Sequence, residues 1–115
     1  MKRHVAAIAF VLSLVGVSAV ARALAHPLLE RARKAWRSGQ CRRETPVTMT
    51  RSDGTLLEGV LDLAFLEDNQ WVVVDFKTDR ELEASLETYF RQVALYATAV
   101  SWATRQEAVP MIMRV

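Results

Sequence analysis

Two apolar-rich runs, residues 56–66 and 71–77, are separated by one short polar break, Glu67-Asp68-Asn69-Gln70, and this pairing leaves few folds open. Both runs carry the Leu, Val, Phe and Trp side chains that suit a pleated, buried surface. A two-residue loop at Asp68-Asn69 closes them into an antiparallel hairpin. That loop also sets the register, and it places Asp62 directly opposite Asp75. Side chains alternate along each strand, so Leu61, Leu63, Phe65, Val72, Val74 and Phe76 form one wholly apolar face. The other face carries Asp62, Asp75 and Lys77. A slip of one residue would destroy this segregation. The unbroken Val72-Val73-Val74 run further predicts a strand covered on both sides.

The flanking segments supply the cover. Pro27 suits a first helical position, and residues 28–36 place Leu28, Leu29, Ala32, Ala35 and Trp36 on one helical face, with Gly39 as the stop. Residues 45–50 read as a strand, followed by a turn over residues 51–55 that contains Asp53-Gly54. Gly59 marks a bulge or a close approach in the next strand. From about residue 81 to 103, Leu82, Leu86, Tyr89, Phe90, Val93, Ala97 and Val100 recur at helical spacing. Residues 109–115 read as a short strand, with Pro110 near its start. The expectation is one α/β domain over residues 26–115, a central mixed sheet flanked by helices.

Composition narrows the function. The net charge is only +2, which gives little support to nucleic-acid binding by bulk charge. The single Cys41 forbids an intrachain disulfide and a multi-cysteine zinc site. No glycine-rich phosphate loop of the Walker or dinucleotide type occurs.

Residues 1–25 form a separate apolar segment. A basic start, Met1-Lys2-Arg3-His4, precedes a charge-free run from 5 to 21, and small-x-small triplets follow at 21–23 and 23–25. By pattern alone this is a secretory signal or a membrane anchor. The other reading is an apolar helix belonging to the domain.

Two opposed carboxylates are unfavourable without a compensating cation. A hard divalent ion such as Mg²⁺, with Mn²⁺ as the alternative, would satisfy Asp62 and Asp75. Lys77, on the same face, could then stabilise charge on a phosphoryl oxygen. The plainer alternative is a salt bridge of the two aspartates with Lys77. Gln92 and Tyr96 are four residues apart and share a helix face, which also suits simple partial burial.

Taken in order, Glu58-Gly59-Val60-Leu61-Asp62-Leu63-Ala64-Phe65, Val73-Val74-Asp75-Phe76-Lys77-Thr78 and Gln92-x-x-x-Tyr96 resemble the nuclease domain of RecB/AddA-type helicase–nucleases, within the PD-(D/E)XK superfamily. The likeness runs from about His26 to the end and includes the Cys41-Arg42-Arg43-Glu44-Thr45-Pro46-Val47 approach to the first strand. The resemblance implies a restriction-endonuclease-like core with an extra amino-terminal apolar helix. It implies that Asp62 and Asp75 are metal ligands, with the backbone carbonyl of Phe76 as a third, and that Lys77 is the catalytic lysine. Gln92 and Tyr96 would contact DNA or support the site, and Glu44 is a second-tier candidate for a contact to the metal or its ligands, or else an ordinary strand-edge charge.

The chain departs from the family pattern in two ways. No helicase motor is present, and no upstream G-x-x-x-H is found: His4 lacks the glycine, and His26, just before Pro27, suits a loop or cap better than a metal. The expectation is therefore the end portion of a larger nuclease, with residues 1–25 a domain helix and a cytoplasmic location. The expected function is metal-dependent, exonuclease-type hydrolysis of DNA phosphodiesters in recombination or repair. A helicase motor or partner protein would come from another chain or be missing through truncation. The rivals are an inactive DNA-binding or interaction remnant, and an exported or membrane-anchored small protein.

Overall fold

The computed structural model of the chain describes residues 26–115. The apolar amino-terminal segment, its signal-like features and His4 lie outside the described residues. Among the described residues, no helix is long and apolar enough to cross a membrane.

The first helix, α1 (Pro27–Arg37), starts where the sequence places it. His26 caps it, with Nδ1 accepting the Leu28 N–H at 3.0 Å, so this histidine has a local structural partner. Ser38 closes the helix and Gly39 follows at φ +74, a left-handed conformation that glycine adopts without strain. Leu28, Ala32 and Ala35 are buried beneath it.

Four strands form one sheet in the order β1-β2-β3-β4: β1 (Cys41–Thr50), β2 (Leu56–Glu67), β3 (Gln70–Lys77) and β4 (Glu107–Arg114). The first three are antiparallel neighbours, and β4 runs parallel to β3. The helix α2 (Asp79–Thr104) makes the crossover that parallel pairing requires. The sheet is therefore mixed, as expected. The hairpin register also follows the expectation: Leu63 pairs with Val74 and Glu67 with Gln70, and the turn residues Asp68 and Asn69 both have positive φ, 52 and 61. The first strand begins four residues earlier than the pattern predicts, because Cys41, Arg42 and Arg43 pair with Phe65, Ala64 and Leu63.

The sheet is covered on both sides. Leu63, Phe65, Val72, Val74 and Phe76 pack against α1 with Cys41 and Met113. Leu61, Ala64 and Val73 pack with Val93, Tyr96, Ala97 and Val100 of α2. The structure corrects the sequence pattern at one residue. Strict alternation puts Leu61 beside Leu63 and Phe65, yet it belongs to the opposite core. The reason lies in the intervening step. The β1–β2 ladder skips Glu44 and Asp62, and Glu44 has φ 44, outside the strand region. Faces exchange across that irregularity: Cys41 lies in the α1-side core, and Val47 packs against the α2-side core. The face of β3 bearing Asp75 is consequently not polar throughout. It is core at Val73 and becomes polar at Asp75 and Lys77.

Gly59 is a close approach. A Cβ built there would lie 2.3 Å from Tyr96 Oη and under 3 Å from two ring carbons, so only glycine lets the α2 tyrosine lie on the strand.

Candidate active site

The site forms where β2 and β3 part. Their ladder ends at Leu63–Val74, one step before Asp62 and Asp75. In place of a continued strand bond, the Phe76 N–H donates to Asp62 Oδ2 at 2.9 Å. The Asp62 carboxyl therefore occupies the opening between the strands. Opposition read from the hairpin register thus brings the two aspartates together, although the backbones no longer pair there.

Asp75 is 6% exposed, the sole charged residue in the buried set among the described residues. Its Oδ2 is buried and ion-paired with Lys77 Nζ at 3.1 Å, without a well-formed hydrogen bond. A buried carboxylate oxygen in this state is costly unless something else binds it. Burial first, and then the adjoining Asp75 carboxyl, push Asp62 up to about 7, against the pull of the Phe76 N–H and Lys77. The pair is a place where negative charge is held at a disadvantage.

Lys77 closes the other side. Desolvation pulls its pKa down, but Asp75, then Glu81 and Asp62, outweigh this and leave it raised, so the ammonium stays charged. Its Nζ lies 3.8 Å from Glu81 Oε2 and 4.7 Å from the centre of the Tyr89 ring. Glu81 is itself fixed, because its Oε1 accepts from the Thr78 N–H and Oγ1, while Thr78 Oγ1 caps the Glu81 N–H. Sequence reasoning misses these neighbours, though part of the signal is there. Thr78-x-x-Glu81 is a legible capping box, and Lys77 to Glu81 is an i, i+4 pair. No spacing rule links Tyr89 to Lys77.

The remaining candidates separate. Gln92 is exposed and donates from Nε2 to Tyr96 Oη at 3.1 Å. Tyr96 is 6% exposed and lies on Gly59, a position that supports β2 three residues before Asp62. Glu44 stands apart. Its side chain is largely solvent-facing, and its carboxylate lies 3.9 Å from Arg43 rather than with the aspartates. Phe76 buries its ring in the α1-side core, and its N–H points toward Asp62.

The oxygen donors suit a small hard cation. Mg²⁺ is ordinarily held by one or two carboxylates, with waters and substrate phosphate completing its shell. Asp75, buried with its Oδ2 incompletely hydrogen-bonded, and Asp62, destabilised as an anion, fit that role. Among the described residues, no cluster of three or more His, Cys, Asp or Glu side chains adds further ligands.

Comparison with known proteins agrees with this geometry. The family model for the PD-(D/E)XK nuclease superfamily matches residues 4–113. The chain is similar to a subunit of the ATP-dependent helicase/nuclease from Heliobacterium modesticaldum, 34% identical in a 102-residue alignment that covers 70% of this chain and 7% of that protein. It is likewise similar to the corresponding ATP-dependent helicase/nuclease protein of Clostridioides difficile, 37% identical in a 57-residue alignment that covers 46% of this chain and 4% of that protein. The chain thus spans a small fraction of the length of these curated relatives. With the hairpin carboxylates, the adjoining lysine and the helix that supports them all inside the matched region, the chain belongs to the PD-(D/E)XK nuclease superfamily.

Proposed function

We propose that this chain hydrolyses DNA phosphodiester bonds with a divalent cation, Mg²⁺ or Mn²⁺, at Asp62 and Asp75. The observation that carries the reading is the buried pair itself: one buried carboxylate ion-paired with a charged lysine but incompletely hydrogen-bonded, beside a second carboxyl pushed up to about 7. A bound ion would supply Lewis acidity toward a phosphoryl oxygen and a more acidic water. Asp62 and Asp75 would hold it. Phe76 would contribute its carbonyl, which lies on the same strand as the N–H that reaches Asp62. Lys77 would neutralise charge developing on the phosphate from its place beside Asp75. Gln92 and Tyr96 would hold β2 in place, with exposed Gln92 free to meet DNA.

The setting we infer is recombination or repair in the cytoplasm, with exonuclease-type action. The helicase/nuclease names of the relatives support a nuclease that works beside a helicase, and a helicase motor in the same longer protein or in a partner would feed the DNA strand. The small donor set among the described residues favours one second reading, a DNA-binding module that does not turn over. The test is cleavage of end-labelled linear DNA and of a covalently closed circle with Mg²⁺, Mn²⁺ or EDTA. Metal-dependent loss of the linear substrate alone supports exonuclease action, and loss of the circle as well replaces it with endonuclease action. Binding without cleavage in either metal, by wild type and Asp75→Ala alike, leaves the non-catalytic module.

A further inference from the structure

Lys77 is held by α2 as well as by Asp75. Its Nζ lies 4.7 Å from the centre of the Tyr89 ring and 3.8 Å from Glu81 Oε2, while the lysine side chain keeps only 15% exposure. Two devices shape this grip. The capping box with Thr78 fixes Glu81 at the helix start. The helix then breaks at Ser85, with φ −169 and ψ 76, before Tyr89 arrives over the ammonium. An ammonium against an aromatic face is attracted by the ring quadrupole, and the attraction strengthens as water is excluded. Lysine is otherwise a flexible stem whose head visits many positions. The ring lies against the ammonium, and Asp75 is the short-range charged partner.

We propose that Tyr89 is a positioning residue, whose ring face holds the Lys77 ammonium against Asp75 in the orientation phosphodiester cleavage uses. The inference rests on the nuclease reading above and assigns a role within it. The ring face, not the hydroxyl, is the working part, since the contact is to the ring centre.

The test combines a spectroscopic reading on the metal-free protein with kinetics on the full chain. The chain has three lysines, Lys2, Lys34 and Lys77, so selective ¹³C-lysine labelling gives few signals, and exposed Lys34 serves as the internal reference. In the wild type and in Tyr89→Phe, the Lys77 ε-methylene resonance should lie upfield through the ring current. In Tyr89→Leu it should move to the Lys34 position. Tyr89→Met, flexible and without a π face, replaces the leucine variant if that one does not fold. With Mg²⁺ and DNA, Tyr89→Phe should keep cleavage within about twofold, and Tyr89→Leu should lose about five- to tenfold in kcat with KM for DNA nearly unchanged. An unmoved Lys77 resonance in Tyr89→Leu overturns the inference whatever the kinetics. Equal losses in the Phe and Leu variants overturn it too, by assigning the effect to the hydroxyl. Wild-type kcat in Tyr89→Leu, with wild-type protein active, overturns the inference and leaves the nuclease reading standing. A wild type inactive in Mg²⁺ and Mn²⁺ overturns the nuclease reading and this inference with it, even where the resonance moves as expected.

Discussion

Asp62 makes the metal-free protein sensitive to pH in an unusual direction. Its carboxyl rises from an ordinary 3.8 to about 7, chiefly through burial and the neighbouring Asp75. A carboxyl raised on folding holds its proton more tightly in the native state than in the unfolded chain. Between these two values the native state therefore binds more protons, and stability falls as pH rises. The contribution is complete below about pH 4 and is lost as pH passes 7. The gap corresponds to about 4 kcal/mol, and partial solvent access to Asp62 reduces the observable to about 2 kcal/mol. Asp62→Asn removes the titrating group while keeping an oxygen to accept the Phe76 N–H. In EDTA the variant should match wild type near pH 4 and exceed it by about 2 kcal/mol at pH 8. Urea denaturation at pH 4, 5, 6, 7 and 8 measures both curves. Wild-type stability that rises from pH 5 to 8, or an Asn variant with no advantage at pH 8, would falsify this account of the site. Saturating Mg²⁺ should flatten the wild-type slope, because a cation replaces the proton as partner of the pair.

Three further outcomes are expected. Lys77→Ala should reduce DNA cleavage by about a hundredfold or more while leaving Mg²⁺ stabilisation intact in thermal melts, since the lysine lies beside the carboxylates and holds no metal. Asp75→Asn should abolish the rise in melting temperature with Mg²⁺ and change stability in EDTA by no more than about 1 kcal/mol, because Lys77 retains Glu81 and Tyr89; a larger loss would mark the aspartate as a structural salt-bridge partner instead. Gly59→Ala should cost about 1–3 kcal/mol by chemical denaturation, as the new Cβ meets Tyr96 Oη at 2.3 Å, and Tyr96→Phe in the same chain should recover only part of it because the ring carbons remain too close.

Much of this molecule is determined by local pattern alone. Strand alternation and the Asp68-Asn69 turn dictate the β2–β3 register, because both are short-range properties of neighbouring residues. That register brings Asp62 and Asp75 together, and the one strand step between same-face side chains puts Lys77 beside them. The amphipathic face of α1 and its His26-Pro27 start are local in the same sense. Three things needed the folded chain. The face exchange at Glu44 and Asp62, which sends Leu61 away from Leu63, depends on two neighbouring strands distorting at one level, and no periodicity in either strand encodes it. Gly59 announces a close approach, but its partner, Tyr96, lies on a helix far along the chain. The placement of Tyr89 over Lys77 depends on how α2 packs after its break at Ser85, and contacts between separate elements have no fixed sequence spacing. The properties that give the site its chemistry, a buried carboxylate incompletely hydrogen-bonded and a carboxyl at about 7, belong to the same class, since both arise from desolvation that exists only when helix and sheet close over the pair.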